Sequence, residues 1–196
     1  MPSPVVSIAY HSGYGHTTVI AEAVHAGAVA AGAEAHLVKV DEITDEQWAI
    51  LDASDAIVFG APTYMGSASA AFHAFAESTN KRWAAQSWDG KVAAGFTNSG
   101  SKSGDKLHTL NYFQILAGQH GMHWVNLGLK PGWSLSTSSE NELNRLGFFV
   151  GAAAQSAGDQ GVEGIHKSDI ATAEHLGRRV ADTTKVFVQG SAATGA

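Results

Sequence analysis

Cysteine is absent from the 196-residue sequence, which excludes a disulfide framework, a thiolate metal site and a thiol nucleophile and fits a reducing, cytoplasmic setting. Proline is scarce, with 4 residues against 22 glycines, and only 15% of residues are charged. Lysine and arginine total 12 against 18 acidic residues and form no cluster, so with a formal charge of −6 neither nucleic acid nor an anionic membrane is expected as a main partner. No apolar run approaches the roughly 18 residues that span a bilayer, and Met1-Pro2-Ser3-Pro4 leads into an apolar strand without a basic signal region. Neither export nor an integral membrane segment is expected. The 10 histidines form no His-x-x-x-His or His-Glu-x-x-His pair on one helix, so no metal site is expected. A Gly-x-Ser-x-Gly elbow is missing too, which leaves a triad hydrolase unsupported.

What is present is a 44% hydrophobic chain of a length that one domain accommodates with a substantial core. Residues 1–189 are read as that domain and the small-residue stretch 190–196 as a flexible tail. Short apolar runs at 5–10, 35–40, 56–61, 92–97 and 124–127 alternate with helix-like stretches at 17–31, 68–79, 106–119 and 168–188, the last with Ser168 as N-cap. Runs of Val, Ile, Ala and Phe without polar alternation indicate parallel strands covered on both faces. With right-handed crossovers, the expected fold is α/β, a doubly wound five-stranded parallel sheet in the flavodoxin-like order 2-1-3-4-5. Residues 128–167 read as no clean element, although 145–154 could return to the sheet; a connection of this length is expected to line the site or an interface.

Doubly wound sheets bind ligands outside the carboxyl ends of the strands, at the switch point of strand order. The first loop there reads His11-Ser12-Gly13-Tyr14-Gly15-His16-Thr17-Thr18, between a strand and a helix. A helix start leaves backbone N–H groups unpaired, the hydroxyls of Ser12, Thr17 and Thr18 add donors, and the two glycines allow close backbone approach. Charge-assisted hydrogen bonds of about 1.5–3 kcal/mol each can together hold a phosphate dianion without a lysine. The absence of Gly-Lys-Ser/Thr disfavours an NTPase, while Gly13-x-Gly15-x-x-Thr18 followed by Asp41 leaves a dinucleotide site open, imperfect at its third position. Taken alone, the loop reads better as an ordinary Ser/Thr-capped helix start. Two further polar loops end the third and fourth strands: Pro62-Thr63-Tyr64-Met65-Gly66-Ser67, whose Tyr64 and Met65 offer apolar surface to a planar ring, and Thr97-Asn98-Ser99-Gly100.

With these residues assembled, residues 5–127 resemble the flavodoxin-fold NAD(P)H:quinone oxidoreductases of the tryptophan-repressor-binding-protein (WrbA) type, with flavodoxins as more distant relatives. The resemblance rests on Ser12-x-Tyr14-Gly15-His16, on Pro62-Thr63-x-x-Gly66 and on Leu116-Ala117-x-x-His120-Gly121-Met122. It implies bound FMN, its phosphate at Ser12, Tyr14, Gly15, His16, Thr17 and Thr18, its ring at Pro62, Thr63, Tyr64, Met65 and Gly66, and its pyrimidine side and ribityl chain at Thr97, Asn98, Ser99 and Gly100. It further implies that His120 steers or protonates the quinone oxygen as a catalytic residue, and that Trp83 reaches the flavin of a neighbouring subunit in a homo-oligomer, a dimer or tetramer. The implied activity is hydride transfer from NAD(P)H as co-substrate, through the flavin, to a quinone or similar acceptor. Two departures bear on substrate: Tyr64 stands where the family has arginine or a similar residue, and Ser99 to Gly104 replaces a multi-glycine run. A flavodoxin-like electron carrier without a substrate of its own, and a non-flavin nucleotide-sensing module on the same fold, are the competing readings.

Overall fold

A computed structural model describes residues 3–194, with side chains through 190. Its strands are β1 (Val5–Tyr10), β2 (Glu34–Lys39), β3 (Ala56–Tyr64), β4 (Ser67–Ala68), β5 (Val92–Ser99), β6 (His123–Trp124) and β7 (Ala152–Gln155). Its helices are α1 (His16–Ala30), α2 (Asp45–Ala53), α3 (Ala70–Ser78), α4 (Asn80–Ala84), α5 (Lys106–Gln119) and α6 (Lys167–Thr194). The sheet runs β2-β1-β3-β5-β6, with β4 on β3 and β7 on β5. Apart from the β3–β4 hairpin, every pairing is parallel.

The expected flavodoxin-like order is therefore present, with one difference in its last position. β6 pairs with the start of β5, Val92 opposite His123, and β7 with its end, Phe96 opposite Ala152 and Ser99 opposite Gln155. One strand position is filled by two short pieces, and the chain between them leaves the sheet and returns. The suggested return of residues 145–154 corresponds to β7.

Side chains alternate along each strand, and both faces of the sheet are covered. Val6, Ile8, Val58, Ala94 and Phe96 face one core with Ile20, Val24, Leu176 and Val180 of α1 and α6. Ala9, Ile57, Phe59 and Ala93 face the other with Leu51, Phe72, Phe75 and Phe113 of α2, α3 and α5. A strand buried on both sides has no polar face to show, which explains the unbroken apolar runs. α1 and α6 meet almost backbone to backbone: a Cβ on Gly27 would lie 1.9 Å from the Glu174 carbonyl oxygen, and one on Gly177 equally close to that of Val24. Only glycine fits this crossing.

α2 has no counterpart in the sequence reading, although its start carries a capping box in which Thr44 Oγ1 accepts from Gln47 N while Gln47 Oε1 accepts from Thr44 N. At the other end of the chain, α6 starts one residue before Ser168, whose Oγ donates to the Glu140 carbonyl rather than capping. Residues 190–194 are helical and fall within the stretch expected to be a tail; 195–196 lie outside the described residues.

Candidate cofactor site

The loop from β1 to α1 turns at Gly15, whose φ of +87° puts it in the left-handed region and lets the helix begin without a side-chain cap. Ser12 Oγ accepts from Thr18 N at 3.2 Å. Among the described residues, no backbone N–H from Ser12 to Thr17 donates to a protein acceptor, so a row of donors stands at the positive end of α1. This is the environment a phosphate monoester requires.

Beside it lies a cavity of about 600 Å³, lined by Ser12, Tyr14, His16, Thr17, Pro62, Thr63, Tyr64, Asn98, Ser99, Gly100 and residues 156–158, 160 and 161. Ten of the sequence-derived site residues thus meet at one place. Neither Lys, Arg, Asp nor Glu lines it. The walls are fixed by hydroxyl and amide bonds: Thr63 Oγ1 lies 2.8 Å from both Thr97 Oγ1 and Thr109 Oγ1, and Thr97 Oγ1 donates to the Ala61 carbonyl at 2.7 Å. Thr97 is fully buried, so it supports Thr63 from behind rather than facing the cavity. Asn98 Oδ1 is buried without a partner.

Tyr64 and Tyr14 meet edge to face at 6.4 Å between ring centroids, forming an aromatic rim. Burial, and secondarily the neighbouring Tyr14, push the Tyr64 phenol above its ordinary value, so it stays neutral and able to donate a hydrogen bond. The turn after it, Met65-Gly66, joins β3 to β4 with both residues at positive φ. Met65 is fully exposed there, and neither it nor Gly66 lines the cavity. Gly15 and Thr18 shape the loop without lining the cavity.

The wall formed by residues 156–161 lies in the 128–167 connection that was expected to line the site or an interface, although none of its residues was named in the sequence reading. Its signal was a small-residue run, Ala152-Ala153-Ala154, followed by Ser156-Ala157-Gly158, the same strand-then-small-polar pattern as the other three loops. Asn98 Nδ2 donates to Ser156 Oγ at 2.8 Å, and the Gln160 carbonyl lies 3.2 Å from His16 Nε2, so this loop closes against both neighbours.

Two expected residues lie elsewhere. His120 caps the far end of α5, beside the start of β5, where Gly90 N donates to the Gly121 carbonyl. Asn98 is six residues farther along β5 than Val92, so about 20 Å of strand separates His120 from the cavity. Its ring is 1% exposed, packs on Trp88 at 4.7 Å and bonds Thr79 Oγ1 at 2.9 Å. Within its own chain, His120 therefore lies outside the cavity and packs between Trp88 and Thr79. Trp83, on α4 and 48% exposed, is also absent from the cavity wall of its own chain.

A doubly wound sheet of this order, with an uncapped helix start and an uncharged cavity at its switch point, defines a flavodoxin-like protein with a site for a phosphorylated flavin. The family described as NADPH-dependent FMN reductase matches residues 8–129. The chain is 44% identical over 177 residues to the flavodoxin FldP of Pseudomonas aeruginosa, covering 89% of this chain and 93% of the relative. It is 31% identical to a NAD(P)H dehydrogenase (quinone) of Aromatoleum aromaticum, over 96% of this chain and 99% of that one. The crystal structure of a flavodoxin, WrbA-like protein from Agrobacterium tumefaciens superimposes with a TM-score of 0.76 at 40% identity, over 94% and 99% of the two chains. The chain belongs to the NADPH-dependent FMN reductase family and is of the WrbA-like flavodoxin-fold type.

Proposed function

We propose that the protein is an FMN-dependent oxidoreductase that transfers a hydride from NAD(P)H to a quinone or a similar acceptor, so that NAD(P)H, a proton and quinone give NAD(P)+ and quinol. The observation that carries this reading is the row of unpaired N–H donors from Ser12 to Thr17 opening onto an uncharged cavity of about 600 Å³. The bound flavin supplies the redox chemistry. Ser12, His16 and Thr17 hold its phosphate at the start of α1, Pro62, Thr63 and Tyr64 bound the ring, and Asn98, Ser99 and Gly100 meet its polar edge and ribityl chain. The orphaned Asn98 Oδ1 and the neutral Tyr64 hydroxyl fit that polar edge. The quinone dehydrogenase among the relatives supports the acceptor class.

Titration of the apo-protein with FMN, followed by steady-state NAD(P)H oxidation driven by benzoquinone, tests this. Failure to quench FMN fluorescence would remove the base of the proposal. The resemblance to FldP favours a second reading, an electron carrier; that protein would bind FMN yet show no quinone-driven NAD(P)H turnover.

Two further parts of the proposal concern surroundings. Absence of cysteine supports a cytoplasmic location, and no helix among the described residues is long and apolar enough to cross a membrane. Trp83, half exposed and outside its own chain's cavity, fits a residue presented to a neighbouring copy in a homo-oligomer, which analytical ultracentrifugation of the FMN-loaded protein tests.

A further inference from the structure

NAD(P)H carries a diphosphate and an adenosine as well as its nicotinamide, yet the walls of the flavin cavity contain no lysine or arginine. The segments that follow the strands around it are 11–15, 65–66, 99–105 and 156–161, and Lys102 is the sole Lys or Arg they contain. Lys102 is exposed and takes part in no ion pair among the described residues. Its Nζ stands 5.1 Å from the ring centroid of Trp133, which is 42% exposed.

These two side chains belong to a cleft of about 220 Å³ lined by Lys102, Ser103, Trp133, Arg145, Leu146 and Phe148. The cleft and the flavin cavity are lined by successive residues of one loop, Ser99 and Gly100 at the cavity and Lys102 and Ser103 at the cleft. Gly100 and Lys102 are two residues apart, at most about 7 Å of chain. No carboxylate lines the cleft, although the chain as a whole carries −6. Arg145 is neutralised in place, its Nε and Nη2 donating to Asp169 at 2.8 and 2.7 Å, so Lys102 is the cation left to attract an anion. An unpaired ammonium beside a half-exposed indole, with apolar Leu146 and Phe148 lining the same cleft, suits a phosphate attached to a purine.

We infer that this cleft binds the adenosine-phosphate end of NAD(P)H, with phosphate at Lys102 and the purine against Trp133, while the nicotinamide enters the neighbouring cavity. The inference rests on the proposed NAD(P)H-dependent activity and places its co-substrate. Lys102 arises where the multi-glycine run of the family is replaced, so the feature belongs to this chain's own loop.

The test is calorimetric titration of the FMN-loaded protein with ADP and with 2′,5′-ADP, alongside KM for NADH and NADPH. The Lys102→Gln and Trp133→Leu variants each weaken nucleotide binding and raise KM about tenfold, the loss of one charge-assisted contact, while Kd for FMN stays within twofold. Lys102→Arg restores binding. Preference between the two nucleotides reports whether Lys102 meets the diphosphate or a 2′-phosphate. Nucleotide binding that is absent, or indifferent to both substitutions, overturns the inference. So does a parallel loss of FMN affinity, which would mark the Lys102–Trp133 contact as a strap on the loop. NAD(P)H turnover with an unchanged KM removes the cleft alone, whereas variant-sensitive nucleotide binding without any turnover keeps the cleft and removes the oxidoreductase reading.

Discussion

Asn98 at the end of β5 donates through Nδ2 to Ser156 Oγ at 2.8 Å, joining the two loops that face each other across the cavity. The same side chain carries the buried Oδ1 that has no partner. A buried amide so divided is costly to the protein alone, because an unpaired acceptor forgoes about 1–3 kcal/mol of hydrogen bonding. Removing the whole amide therefore affects the free chain and the flavin complex differently. Asn98→Ala is expected to change apo stability by less than about 1 kcal/mol and to weaken FMN binding about tenfold, read by urea denaturation and fluorescence titration. A large stability loss with unchanged FMN affinity would make Asn98 a strut only.

The turn into α1 makes a second prediction. Gly15 has φ +87°, and a Cβ there would also approach Val162 Cγ1 at 3.2 Å. For an L-residue the left-handed region costs about 1–2 kcal/mol, and the helix start can avoid that cost by rotating its N–H groups away from the cavity. Gly15→Ala is expected to lower stability by about that amount and, beyond it, to weaken FMN binding more than it weakens binding of riboflavin, which lacks the phosphate. Equal losses for the two flavins would detach this loop from the phosphate.

How far the sequence disclosed this site depends on the kind of signal. The β1, β3 and β5 loops were legible because each follows an unbroken apolar strand and leads within a few residues to a helix, at 5–16, 56–70 and 92–106, with only the two-residue β4 between β3 and α3. The fourth wall was legible only as a long connection expected to line the site or an interface, because its strand is split: β6 keeps two residues, the chain leaves the sheet, and four more arrive as β7. No periodicity survives in pieces that short. His120 falls outside its own chain's cavity for a different reason. The Leu116-Ala117 to Gly121-Met122 segment is a helix end in any case, and which end of the sheet it occupies follows from chain direction: a helix that leaves the cavity end of β5 finishes at the opposite end.

Lys106 supplies a prediction about pH. It is fully buried in the first turn of α5, where Nζ donates to the carbonyls of Ser101 and Lys102. Burial first, opposed by Asp169 and reinforced by Arg145, pushes its pKa from the ordinary 10.5 down to about 8. Between those values the unfolded chain binds more protons than the folded one, so this group's contribution to stability rises with pH across that window and is flat below it. Lys91 shifts in the same direction, so the variant difference is the clean measure. Urea denaturation at pH 7 to 10 should show wild type gaining on Lys106→Met by up to about 1.4 kcal/mol per pH unit above pH 8. A difference independent of pH would contradict the shift.

His120 makes the opposite prediction at acid pH. Thr79 Oγ1 donates to the Ala76 carbonyl at 2.6 Å, so it must accept from His120 Nε2–H, which leaves Nδ1 as the bare nitrogen. That Nδ1 is buried without a partner, and protonating it would place an unpaired charge beside Trp88. Burial accordingly lowers the His120 pKa below its ordinary 6.5. The unfolded chain then takes up a proton before the folded one does, so stability is held above pH 6.5 and lost as pH falls below it. Replacing His120 with Gln removes this term while retaining an amide donor for Thr79. The variant should melt lower than wild type at pH 7.5, because the imidazole no longer fills the space against Trp88, and the gap should narrow by pH 5. Its quinone-driven NAD(P)H turnover, measured at pH 7.5 and a temperature where both are folded, should match wild type within about twofold, since some 20 Å of strand lies between this ring and the cavity. A hundredfold loss of turnover with an unchanged melting point would instead restore His120 to the chemistry, and would require a neighbouring copy of the chain to bring a cavity to it.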